Sequence, residues 1–139
     1  MACAECRWRN TCEVSGGMIV DHQNRVEKPW GYELRWAITD RYVGKILHIN
    51  AGEALSLQYH NVKDETLLLS SGVMRLELDD DAGQLQVNVM RPGDAIHIEP
   101  GRRHRMVAIE ECDVFEVSTP ELDDVVRLED RYGCTVLVT

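Results

Sequence analysis

Leu55-Ser56-Leu57-Gln58-Tyr59-His60 alternates apolar and polar side chains. In an extended chain successive side chains point to opposite faces, so Leu55, Leu57 and Tyr59 share one face and Ser56, Gln58 and His60 the other. The same period returns in Val73-Met74-Arg75-Leu76-Glu77-Leu78-Asp79, from Gln84 to Met90 and from Asp94 to Ile98. Turn-forming clusters separate these runs: Asn50-Ala51-Gly52, Asn61-Val62-Lys63-Asp64, Ser70-Ser71-Gly72, Asp79-Asp80-Asp81-Ala82-Gly83 and Arg91-Pro92-Gly93-Asp94. Short strands at spacings of about 8–12 residues predict an all-β sandwich or barrel. Strands are expected near 31–38, 42–49, 54–60, 65–70, 73–79, 84–90, 94–98, 104–109 and 112–118. The exception is 121–131, where Leu122, Val125, Val126 and Leu128 suit helical turns packed against the barrel.

The 139 residues, 44% hydrophobic and 28% charged, make one domain. With one Phe, four Tyr and three Trp, the core must come mainly from Val, Ile and Leu. No apolar run reaches the roughly 18 residues of a membrane span, and the first 30 residues hold no secretory hydrophobic region. A soluble, cytoplasmic domain without a membrane partner is expected. A net charge of -9 repels phosphate backbones, so no nucleic-acid partner is expected either. Gly101-Arg102-Arg103-His104-Arg105 and the isolated Lys28 gather enough positive charge only for a small anionic ligand. Cys3, Cys6 and Cys12 crowd the start, while Cys112 and Cys134 lie far away. Without a nearby fourth ligand these three read as reduced thiols on an extension, with zinc or redox use as the alternative. Met18 after Ser15-Gly16-Gly17 is a second candidate start for the functional domain. There is no glycine-rich nucleotide loop and no internal repeat.

Chemistry concentrates in four residues. Gln58 and His60 project from one strand face, Glu65 follows the turn at 61–64, and His104 opens a later strand after Pro100-Gly101. Two oxygen and two nitrogen donors suit zinc, with manganese, iron or nickel as alternatives. Their frame is Gly52-x5-Gln58-x-His60-x4-Glu65-x6-Gly72, followed by Gly93-x5-Glu99-Pro100-Gly101-x2-His104.

That frame resembles the cupins, small double-stranded β-helix (jelly-roll) barrels with a central metal. The usual first motif has His where Gln58 stands; the second normally has Pro at Glu99 and Asn at Ala108. A narrower resemblance runs from 28 to 133. Lys28-Pro29-Trp30-Gly31, Val43-Gly44-Lys45-Ile46, the Gln58 strand and the stretch from Asp123 to Gly133 look like type II mannose-6-phosphate isomerases. The same cupin ends bifunctional mannose-1-phosphate guanylyltransferases. There Gln in place of the first His is usual, whereas Cys134 stands where the family tail has Arg.

The resemblance implies a Cys-containing extension at 1–29, a cupin barrel at 30–118 and a tail at 119–139 packed on it. It implies a divalent metal held by Gln58, His60, Glu65 and His104, and an aldose–ketose isomerase acting on a small sugar or sugar phosphate. Lys45, Arg105 and Arg127 are the candidate cations for the phosphate. A homodimer is expected, since cupin barrels commonly pair by edge exchange or by sheet-face packing. Two other classes stay open. One is a non-catalytic sugar-binding or regulatory cupin; the other is an iron oxygenase built on His60, Glu65 and His104. No base is assigned: His97 and Glu99 share strand parity, but alternation alone does not say whether they face inward.

Overall fold

The computed structural model describes residues 24–133. Cys3, Cys6, Cys12, Met18 and Cys134 lie outside them. Eleven strands follow one another: β1 Arg25–Lys28, β2 Gly31–Ile38, β3 Val43–Ile49, β4 Leu57–Tyr59, β5 Glu65–Ser71, β6 Met74–Asp79, β7 Leu85–Met90, β8 Ala95–Ile98, β9 His104–Ala108, β10 Cys112–Ser118 and β11 Val126–Glu129. They form two antiparallel sheets, ordered β1-β2-β3-β10-β5-β8 and β11-β4-β9-β6-β7. From β3 onward, apart from the β6–β7 hairpin, consecutive strands alternate between the sheets, the winding of a double-stranded β-helix. Among the described residues no helix is long and apolar enough to cross a membrane.

The core follows from alternation. Inward positions of β3 are Val43, Lys45, Leu47 and Ile49; those of β10 are Cys112, Val114, Glu116 and Ser118; all are buried. Leu67, Leu69, Met74, Leu76, Leu78, Ile98 and Met106 fill the space between the sheets. Each of the larger apolar side chains contributes about 1.5–3 kcal/mol when removed from water. Along β3 and β10 the inward face changes from apolar to charged, because Lys45 and Glu116 are direct cross-strand partners. One end of the barrel is therefore packed and the other is polar. The polar end holds the site.

Three local expectations need correction. The stretch 121–131 forms no helix: after tight turns at 120–125, β11 pairs with β4, setting Val126 opposite Tyr59 and Arg127 opposite Gln58. The open edge of β4 offers ladder hydrogen bonds that a helix would leave unmade, and Asp124 is anchored to the 61–63 loop. Strand β4 is also shorter than 54–60, since Ala54 makes only an isolated bridge to Val107. Arg25–Lys28, within the stretch read as an extension, forms edge strand β1 against β2. Its Arg-Val-Glu-Lys sequence lacks an apolar face, so periodicity gave no sign of it.

Candidate metal centre

His60 stands just past β4, Glu65 opens β5 and His104 opens β9. All three are at most 3% exposed. Their donor atoms lie within 4.8 Å of one another, a convergence of His, Cys, Asp or Glu donors found only here among the described residues. His60 Nε2 is 3.2 Å and His104 Nε2 is 3.1 Å from the same Glu65 oxygen, Oε1. Gln58 pairs with His104 across the β4–β9 ladder, and its amide oxygen accepts a hydrogen bond from Ser56 Oγ at 2.7 Å.

The outer nitrogens fix the tautomers. His60 Nδ1 lies 2.6 Å from the Asp124 carbonyl and His104 Nδ1 lies 2.9 Å from the Arg102 carbonyl. A carbonyl only accepts, so each Nδ1 donates and, in the neutral ring, each Nε2 carries a lone pair. Both lone pairs then face a carboxylate oxygen, which also only accepts. Three acceptors at this spacing repel unless a cation lies among them. His104 Nε2 is buried and has no partner of hydrogen-bond geometry. The donor set and its supporting carbonyls therefore fit a divalent metal.

A chain of buried charges runs from this cluster. Lys63 Nζ lies 3.1 Å from Glu65 Oε2 and 3.1 Å from Glu116 Oε2; Lys45 Nζ lies 4.0 Å from Glu116 Oε2 and 2.6 Å from Glu33 Oε1. Burial alone would raise the Glu65 carboxyl, but the two facing imidazoles, whenever they carry a proton on Nε2, and the Lys63 ammonium hold it well below the usual range. Burial pushes Glu116 up, the Glu65 charge adds to this, and Lys63 and Lys45 oppose it. Glu33, Lys45, Lys63 and Glu116 border a cavity of about 470 Å³ whose wall also includes Gln58, His60 and Arg127. The tail closes one side: the Asp124 carboxylate accepts from the amides of Asn61, Val62 and Lys63 at 2.7–3.1 Å. Tyr132 donates to Glu53 from the same tail.

The sequence-derived cations separate here. Arg127 and Lys45 reach the cavity, and Lys45 is engaged by Glu33. Arg105 does not line it: next to inward His104 on β9, it turns to the opposite face and pairs with Glu77 and Glu129. His97 is half exposed and bonded to Asp64 at 2.6 Å, and Glu99 is exposed too, so neither faces the cavity. Lys63, Glu116 and Glu33 were missed. A signal existed for Glu116, a lone charge at an apolar parity position between Val114 and Ser118. Lys63 sat in a turn and gave none.

Comparison with known proteins agrees with this geometry. The family described as Mannose-6-phosphate isomerase C-terminal matches residues 16–130. Mannose-1-phosphate guanylyltransferase of Escherichia coli K12 is 30% identical over 121 residues, covering 81% of this chain and 24% of that protein. The alginate biosynthesis protein AlgA of Pseudomonas putida is 26% identical, covering 90% and 26%. The chain thus spans about a quarter of the length of these curated relatives. Among solved structures, KdgF from Halomonas superposes with a TM-score of 0.65 at 20% identity, covering 76% of this chain and 94% of that one. Oxalate decarboxylase from Bacillus subtilis, an enzyme with Mn(II) centers, gives 0.64 at 20%, covering 84% and 34%. These likenesses show the fold, a cupin barrel.

Proposed function

Since this chain belongs to the mannose-6-phosphate isomerase C-terminal family, we propose that it is a metal-dependent cupin that isomerises a sugar phosphate. The observation that carries this reading is the pair of buried imidazole lone pairs aimed at Glu65, with His60 on the wall of a cavity that also carries Arg127. Gln58, His60, Glu65 and His104 would hold the ion, zinc or else manganese, iron or nickel. One carboxylate against three neutral donors leaves such a site near +1, and a divalent ion there would polarise a carbonyl as a Lewis acid. Arg127 has no carboxylate partner among the described residues and suits the phosphate; Lys45 supports it from the Glu33 pair. The working unit is the barrel at 30–118 with its tail at 119–139, paired as a homodimer.

Metal analysis of the purified chain, followed by a sugar-phosphate screen with and without chelator, tests this. Stoichiometric divalent metal and chelator-sensitive turnover of mannose 6-phosphate are expected. Intact metal without turnover on any sugar phosphate would favour the sugar-binding cupin instead. Protein that takes up no divalent ion would overturn both.

A further inference from the structure

Aldose–ketose isomerisation needs a base that carries a proton between neighbouring carbons. Four carboxylates line the cavity: Glu33, Glu116, Asp123 and Asp130. Glu33 is held by Lys45 at 2.6 Å and Arg35 at 3.1 Å. Asp123 is exposed, and Asp130 accepts from the Tyr132 amide at 2.8 Å. Glu65 belongs to the metal set. Glu116 is different in kind. It is 4% exposed, and its Oε2 has no partner of hydrogen-bond geometry although two ammonium groups stand near it. A buried carboxylate held by ion pairs without an aligned hydrogen bond to that oxygen is costly to keep. The fold nevertheless fixes it at the centre of β10, between β3 and β5, facing the cavity.

We propose that Glu116 is the catalytic base of this cupin, moving the proton between C2 and C1 of an aldose phosphate held in the cavity. The inference rests on the isomerase reading above. The C2–H bond breaks and the proton joins the Glu116 carboxylate. The released pair becomes the C1=C2 bond of the enediolate, and the carbonyl pair moves to O1. The O2 proton passes to O1, the pair on O2 re-forms a carbonyl at C2, and Glu116 returns its proton to C1. Atoms and electrons balance without an oxidant or reductant. Lys45 and Lys63 flank the carboxylate and offset its charge before the first transfer and after the second.

The test follows the full-length, zinc-loaded chain with mannose 6-phosphate in D2O, reading deuterium at the migrating position and ketose formation by NMR. Metal content and mannose 6-phosphate affinity are measured alongside. Wild type should exchange and turn over. Glu116→Gln should lose at least about 100-fold in both rates, while metal content and affinity stay within about threefold. Wild type without exchange or turnover rejects the isomerase reading, and this inference with it. Active wild type with Glu116→Gln within threefold of it rejects only the inference. Should Glu116→Gln lose metal or fold, Glu116→Asp decides, because it keeps the charge and withdraws the carboxylate by one methylene. A tenfold or greater fall with metal intact supports the base; a wild-type rate overturns it.

Discussion

At the residue scale the site is a problem of lone pairs. His60 and His104 each spend Nδ1 on a backbone carbonyl, which commits Nε2 to the interior. Removing either imidazole deletes a donor that three remaining groups cannot replace. His60→Ala and His104→Ala are therefore expected to lose metal on dialysis, read by elemental analysis. Glu65→Gln keeps the shape but removes the anionic donor, so weaker binding is expected in a chelator competition, while Gln58→His should retain or tighten it. His60, Glu65 and His104, whose donor atoms the fold brings together, were readable from parity and spacing because a polar residue at an inward position is conspicuous. Their tautomers were not readable, since the fixing carbonyls of Asp124 and Arg102 are main-chain atoms without a sequence signature. Glu116 showed only as a charge at an inward parity position, and Lys63, in the loop between β4 and β5, gave no periodic signal, so their pairing is recognisable only once the fold brings that loop beside β10.

At the element scale the tail is tied to the centre through Asp124. Its carbonyl holds His60, and its carboxylate caps three successive amides of the loop that presents Lys63. Asp124→Ala frees this loop, and partners that orient metal ligands typically contribute 10–100-fold in affinity. A fall of about tenfold in metal affinity by calorimetry is expected, with an unfolding loss of about 2 kcal/mol from the charge-assisted bonds. Burial would raise the Asp124 carboxyl, but the Lys63, Val62 and Asn61 amides outweigh it and lower it. A carboxyl lowered in the fold stabilises it fully above its unfolded value, near 3.9, and the contribution is lost as pH falls through the folded value. Amides 61–63 should therefore lose hydrogen-exchange protection in acid, and Asp124→Ala should remove that pH dependence. The β5–β6 turn is equally specific. Gly72 has φ +85°, and a Cβ there would lie 2.1 Å from the Glu111 carbonyl oxygen. Gly72→Ala is expected to cost about 2 kcal/mol or more in denaturant unfolding.

At the scale of the whole molecule, alternation identified nine of the strands but not their two edge partners. β1 carries charge where a core strand carries an apolar face, and β11 is only four residues long with Leu128 exposed; both are strands because an adjacent edge needed hydrogen bonds. The helix expected at 121–131 failed for the same reason: Leu122, Val125 and Val126 fit a helical spacing, yet two line a cavity and one enters a ladder. Alternation also explains the outer face of the six-stranded sheet. Register sets Leu34, Ile46, Phe115, Leu68 and Ala95 in one row across five strands, with Trp36 and Val117 beside them. Trp36 is 45%, Phe115 39% and Val117 53% exposed. In a chain of net charge -9, such a row stands out as an apolar patch meant for cover. A second copy supplies the same patch, and a two-fold axis makes it complementary to itself. Light scattering at micromolar concentration should give twice 15.8 kDa. Phe115→Lys places an ammonium at the centre of the row and should return the mass to that of one chain, with metal content unchanged because the residue points away from the cavity. Wild type at 15.8 kDa would leave the patch uncovered and the homodimer refuted.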